Sequence, residues 1–374
     1  MNFRKYNWWM VSALTLIPLV GIFGTALYIW KYNIVWQEPV LLLTGWWVAG
    51  MGITFGYHRL FAHRSFKAHP VVQFVAILLG SIALQNSVLK WSSDHRRHHR
   101  KLDTDEDPYS ITKGFWHAHI GWILEAKESR IDGVKDLQAN PLVMFQHRHY
   151  YKIAIFGAFI LPMLIGLFYG RPIGGLLWGG FLRVTMVHHF TFFINSLCHY
   201  IGKRPFEPDS SARDSWLVAF FTFGEGYHNF HHKFQWDYRN GISWYAFDPG
   251  KWSIKALSWV GLTKEIRRVS EYNILQARLE GMKQSVQKHY PQIPDELKLK
   301  YQQKVDQLQD KAKQISQSWR ELEMEIKKLK EEKLYDRFQL AVLKHKRKLY
   351  RAQFASLLNG FAIINTGIQN GVSI

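Results

Sequence analysis

At 374 residues the chain is long enough for two domains, and 48 Lys and Arg against 29 Asp and Glu give it a formal charge of +19. That excess does not mark a nucleic-acid binder. It flanks hydrophobic spans and fills a polar tail without any nucleic-acid motif, a placement suited to anionic lipid headgroups. The single cysteine, Cys198, excludes an intrachain disulfide.

Composition changes near Val260, from Trp, Phe, Leu and Gly to Lys, Glu, Gln and Leu, so a membrane domain over 1–262 and a charged helical extension over 263–374 are expected. A transmembrane helix needs about 20 mostly apolar residues. Segments 11–30 and 39–57 meet this and form a hairpin, the first being an uncleaved anchor, since no cleavage site precedes the second span. Segment 71–89 approaches the required length but contains Gln73, Gln85 and Asn86, and a crossing there would separate the histidines on either side of it. It is therefore expected as an interfacial helix. Segments 151–169 and 173–194 complete four spans. Arg4, Lys5, Arg59 and Arg64 make the first side cytoplasmic, and the even number of crossings returns the chain there.

Three histidine clusters follow apolar segments: His58 with His63, His95 with His98 and His99, and His228 with His231 and His232. Imidazoles at i, i+3 and i+4 share one helix face, and neutral imidazole suits iron, zinc, copper and nickel. Eight imidazoles exceed the needs of one ion, so two metals are the natural reading. His58 and His63 are five apart, which on a regular helix puts them on different faces. Either the helix ends between them or they serve different sides of the centre. His199, after the fourth span, brings another imidazole to the same level, although a lone histidine there also reads as packing. Metal-bound histidine usually donates its other nitrogen to a carboxylate or carbonyl. Asp94 and Glu225 are the candidates for that role, while Asp103 to Asp107 reads equally as a solvated acidic loop.

The segments His58-Arg-Leu-Phe-Ala-His63-Arg-Ser, Trp91-Ser-Ser-Asp-His95-Arg-Arg-His98-His99, Asn195-Ser-Leu-Cys-His199 and Gly224-Glu-Gly-Tyr-His228-Asn-Phe-His231-His232 resemble the acyl-CoA delta-9 desaturase family. This is the stearoyl-CoA desaturase-like branch of membrane fatty-acid desaturases, and the similarity runs from about Gly52 to Asp248. The resemblance implies an all-α integral membrane protein with four transmembrane helices and a cytoplasmic helical cap. It also implies a di-iron centre on nine histidines, the eight above plus His199, with Asn195 reaching one iron through water. An unactivated methylene C–H bond has no acidity, so acid–base groups alone cannot break it. Oxygen and a metal cofactor are needed. A cis double bond, at delta-9 by resemblance, is the expected product; a lipid hydroxylase is the nearest chemical alternative, and a membrane scaffold the alternative from another class.

By the same resemblance Gln85, Trp91 and Thr191 shape a bend in an acyl channel; Trp46 and Gly50, one turn apart on the second span, are expected to meet the distal end of the chain and set its permitted length. Asn86 and Lys127 match polar positions near a coenzyme A entrance, whereas Ser93 and Ala126 stand where animal members carry arginine. Acyl-CoA, acyl carrier protein and acyl lipid all stay open as the substrate. No haem-attachment or iron–sulfur spacing and no cytochrome b5 signature occurs, so a separate ferredoxin, cytochrome b5 or flavin reductase is the expected electron donor. With the short loops and the form of the second box, this leads to a bacterial inner-membrane protein whose metal site and termini are cytoplasmic.

In the tail, Val305, Leu308, Ala312, Ile315, Trp319, Leu322, Ile326 and Leu329 alternate in steps of three and four. That spacing predicts a coiled coil, either joining copies into a homo-oligomer or folding as an antiparallel hairpin with a helix near 264–288. The segment from Phe354 onward has no assignment.

Overall fold

The computed structural model describes residues 6–126, 130–293, 295–332 and 337–370. They form two compact units, one of 1–203 with 210–268 and one of 204–209 with 269 onward.

The first unit is built on long apolar helices. α1 (Trp8–Tyr32) and α2 (Gln37–Ala62) are joined by a short link. Asn7 caps α1 by accepting from the Met10 N–H at 3.2 Å. α3 (Pro70–Ser81) starts with Pro70, which needs no N–H partner, behind the capping His69 side chain. α4 (Val88–Lys101) is capped by Ser87. α5 (Pro141–Leu167) begins with Pro141 behind Asn140, whose side chain accepts from the Leu142 and Val143 N–H groups. α6 runs continuously over residues 172–196. Short α7 (His228–Lys233) and α8 (Pro249–Trp259) follow, and a two-residue β1 (Lys67–Ala68) pairs antiparallel with β2 (Thr263–Lys264).

Among the described residues three helices, α1, α2 and α5, are long and apolar enough to cross a membrane. α6, expected as the fourth span, is helical but carries Arg183, which is buried and donates to the carbonyls of Gly179, Ile82 and Ala158. The links after α1 and α5 meet at one end: Arg171 pairs with buried Glu38 at 2.9 Å and donates to the carbonyls of Tyr32 and Asn33.

The expected interfacial helix over 71–89 is two pieces. α3 ends at Ser81, Leu84 and Asn86 adopt positive φ (55° and 75°), and Ser87 starts α4 afresh. The break frees the Ile82 carbonyl that Arg183 binds, so Gln85 and Asn86 mark a turn, while Gln73 stays in the first turn of α3.

The second unit is a bundle of α9 (Glu271–His289), α10 (Asp295–Glu332) and α11 (Arg337–Asn370). Trp319 is fully buried, with its ring 5.5 Å from Phe354 and 5.9 Å from Tyr272. Leu308 meets Gly360, and Leu322 and Ile326 pack with Leu343, so α10 and α11 run antiparallel. Of the expected seam, Val305, Ala312, Trp319, Leu322 and Ile326 are buried inside the chain. That packing corrects the picture of a seam exposed for a second copy: an apolar helix stripe is buried by whatever partner is nearest, here α9 and α11.

Candidate metal centre

α2 does not end as an α-helix. Over Gly52–Ala62 it widens to π-helical hydrogen bonding, a form often found at functional sites. The His63 N–H donates to the His58 carbonyl at 2.9 Å, and the two Nε2 atoms stand 3.1 Å apart. Neither expectation for this pair holds: the helix continues between them, and they join the same group. α4 and α7 present the second and third clusters from ordinary α-helical spacing.

The nine histidines form two groups. His58, His63, His95, His99 and His231 make the first, with Nε2 separations of 2.8 Å for His63–His95 and 3.0 Å for both His58–His231 and His99–His231. His98, His199, His228 and His232 make the second, with 3.0 Å for His199–His228, 3.1 Å for His228–His232 and 3.3 Å for His98–His232. Burial, reinforced by the neighbouring imidazoles, holds His63, His95, His99, His199, His231 and His232 well below the usual histidine range. The same causes bring His228 down to about 3. Rings facing one another lone pair to lone pair repel unless a proton or a cation lies between them, and converging groups of five and four imidazoles suit a cation. Two nitrogens at about 2.1 Å from one ion and at right angles would be about 3.0 Å apart. The donor set fits two transition-metal ions.

The rings are braced from outside. Glu225 Oε2 lies 2.9 Å from His58 Nδ1, and its other contacts are Thr54, Arg59 and Asn240. Burial alone would raise the Glu225 carboxyl, but His58 and Arg59 outweigh it and hold it down to about 2. Asp94 makes no such contact. It is held instead by Lys90 (2.6 Å) and Arg97 (3.3 Å), which lie four residues before it and three after it on α4. The carboxylate that reaches His98 Nδ1 is Asp107, at 2.9 Å. Ser211 reaches His199 Nδ1, and Tyr109 lies 3.3 Å from His95 Nδ1. Sequence reasoning passed over Asp107 within its acidic run and missed Ser211 and Tyr109, since loop contacts follow no periodicity.

Beside both groups lies a cavity of about 350 Å³ with mostly apolar walls, including Leu14 and Ile17 of α1 and Ile155 and Phe159 of α5. His58, His95, His228 and Glu225 border it, as do Gln85, Asn86, Trp91, Thr191 and Asn195. Gln85 donates to Thr191 at 2.9 Å, and Trp91 stacks on His95. Trp46 and Gly50 line a smaller cavity that shares Ile53, Thr191 and Ile194 with the first. Lys127 lies outside the described residues.

The described features meet their match in known proteins. The sequence pattern of the fatty acid desaturase family fits residues 34–258. This chain belongs to the fatty acid desaturase family. It is 41% identical over 293 residues to a probable acyl-CoA desaturase of Schizosaccharomyces pombe, covering 75% of this chain and 60% of the relative. It is 38% identical over 301 residues to acyl-CoA desaturase 1 of Saccharomyces cerevisiae, covering 78% and 57%. Similarity to the sn-1 stearoyl-lipid 9-desaturase of Synechocystis is 34% over 264 residues, covering 70% and 80%. The chain thus spans 60% or less of the two yeast relatives' length.

A polar vestibule adjoins the cavity beside the histidine groups, the two sharing Asn86, Asp94 and Tyr151. Several of its cations are already paired: Lys90 with Asp94, Arg97 and Arg100 with Asp132, and Lys101 with Glu106. Ser93 makes part of this possible, since its hydroxyl donates to the Asp132 carbonyl and accepts from the Asp132 N–H, holding that carboxylate near the arginines.

Proposed function

We propose that this membrane protein is an oxygen-dependent di-iron desaturase that introduces a cis double bond, at delta-9, into a saturated long-chain acyl group. The observation that carries the reading is two groups of converging imidazoles beside a cavity with mostly apolar walls. His58, His63, His95, His99 and His231 would hold one iron. His98, His199, His228 and His232 would hold the other, with Asn195 reaching it through water. When bound, the iron pair supplies, with O2 and two electrons, the oxidising power to remove hydrogen from two adjacent methylenes.

The chain's own residues select and shield the bond. Leu14, Ile17, Ile155 and Phe159 present apolar surface to an acyl chain and keep water from the reacting carbons. The Gln85–Thr191 hydrogen bond and the Trp91 ring shape the channel where it passes the imidazoles. Trp46 and Gly50 stand at its distal end and limit chain length. Asn86 would meet the carrier, which is acyl-CoA, acyl carrier protein or acyl lipid, and the sequence resemblance gives Lys127 the same role. The paired vestibule cations favour none of the three carriers by charge alone.

In this reading α6 is the fourth span, beside α1, α2 and α5, and residues 1–262 form the desaturase domain. The meeting of Glu38 and Arg171 supports two hairpins whose turns share one side of the bilayer. The histidines and both termini then face the cytoplasm, and the short loops support a bacterial inner membrane. Electrons come from a separate ferredoxin, cytochrome b5 or flavin reductase. Oxygen uptake by the iron-loaded chain tests the proposal. With a reductant present, uptake should rise on adding a saturated acyl substrate and disappear in His98→Ala. Substrate-independent uptake that survives the substitution would refute it.

A further inference from the structure

One short acidic loop controls the far nitrogens of two histidines in the four-histidine group. Asp103, the second residue after α4, has a φ of 62°, a left-handed conformation that Asp tolerates better than most residues. Its carboxylate accepts from both the backbone N–H and the hydroxyl of Ser211. Its own N–H donates to Asp107 at 3.4 Å, which ties the two acids together. Asp107 also accepts from the Tyr109 N–H and faces His98 Nδ1 at 2.9 Å.

Donor and acceptor counting fixes the ring states. A carboxylate only accepts, and a serine hydroxyl has a single proton to donate. Ser211 uses that proton on Asp103, so its oxygen must accept from His199 Nδ1. His199 Nδ1 therefore carries the hydrogen, and the Nε2 lone pair points toward His228. The same logic sets His98, whose Nδ1–H goes to Asp107 and whose Nε2 faces His232. In the five-histidine group the corresponding carboxylate is Glu225, on a different segment of the chain. The loop's link to that group is the longer Tyr109–His95 contact.

We propose that Asp103, Ser211 and Asp107 are positioning residues for the metal of the four-histidine group alone, holding His199 and His98 in the tautomer and orientation that ligation requires. The inference rests on the two groups being metal sites. Asp103 and Asp107, with Ser211, are then a retention device for one ion of the pair, while Glu225 serves the other.

The test is iron content per chain of the purified full chain after loading with ferrous iron, with the thermal midpoint measured alongside. Wild type should hold two irons. Ser211→Ala and Asp103→Ala should each hold one, a twofold fall, and the remaining iron should give the spectroscopic signature of an isolated ion. Ser211→Thr keeps a hydroxyl and should restore two. Asp105→Ala removes a fully exposed carboxylate of the same loop and should also leave two. Two irons in both alanine variants would overturn the proposal, as would loss of both irons together or failure of Ser211→Thr to rescue. A wild-type chain that binds no metal would end the di-iron reading itself and this inference with it.

Discussion

The His63 backbone N–H donates to the His58 carbonyl across five residues, and that one bond lets both rings enter the same group. In α-helical geometry the two side chains would point about 140° apart. Widening of the helix brings their Nε2 atoms to 3.1 Å. Inserting one alanine after Phe61, which changes the spacing to six and turns the second ring away from the first, should remove the iron of the five-histidine group. Elemental analysis should show at most one iron per chain. Full occupancy would mean that the π-helical register is dispensable.

Gly50 sits against the Phe223 ring, where an added Cβ would lie 2.0 Å from the ring's edge. Gly50→Ala must displace that ring or narrow the small cavity it borders. Overpacking of this kind costs about 1–3 kcal/mol. The product distribution should shift toward acyl chains shorter by about one or two carbons, read by gas chromatography–mass spectrometry. An unchanged distribution with unchanged total activity would remove Gly50 from the distal end of the channel.

The metal-free protein should lose stability on acidification. The unfolded chain takes up protons near pH 6.5, the ordinary histidine value. In the fold, burial keeps His63, His95, His99, His199, His231 and His232 from doing so until well below that, and His228 until about pH 3. The unfolded state therefore binds more protons in this window, and stability rises with pH through it. The melting midpoint of chelator-treated protein should fall progressively as pH drops below about 6.5. A midpoint that rises on acidification would contradict the burial of neutral rings.

Much of the centre is legible in the sequence because its spacing is local. Histidines at i, i+3 and i+4 announce a shared face, and the apolar runs announce where the long helices lie. What escapes is set by contacts between distant segments. Asp94 is adjacent to His95 in sequence and yet turns to Lys90, whereas Asp107 and Ser211 reach ligands from loops with no period to betray them. The break at Ile82–Ser87 is equally hidden, since it depends on Arg183 of a helix a hundred residues later accepting the role of hydrogen-bond donor to Ile82. In the tail, the three-and-four pattern of α10 specifies an apolar stripe but not its partner. α11 carries Leu340, Val342 and Leu343 near its start, is interrupted by the basic run Lys344 to Lys348, and turns apolar again from Phe354.

Trp319 anchors the second unit through Tyr272, Tyr350 and Phe354. Trp319→Ala should destabilise that bundle by about 3–5 kcal/mol, exposing 269–370 to limited proteolysis. Iron content should stay at the wild-type level, since no residue of the two histidine groups lies in this unit. Loss of iron in this variant would show that the extension is needed to form the centre.

The most direct measurement is made in a host unable to produce monounsaturated fatty acids, given the wild-type chain or His98→Ala together with candidate electron donors. Lipids are analysed by gas chromatography–mass spectrometry, and any new double bond is located chemically. The expected result is a cis-delta-9 monoene with wild type and none with His98→Ala. A hydroxylated chain in its place, or the same monoene from the His98→Ala variant, would contradict the account.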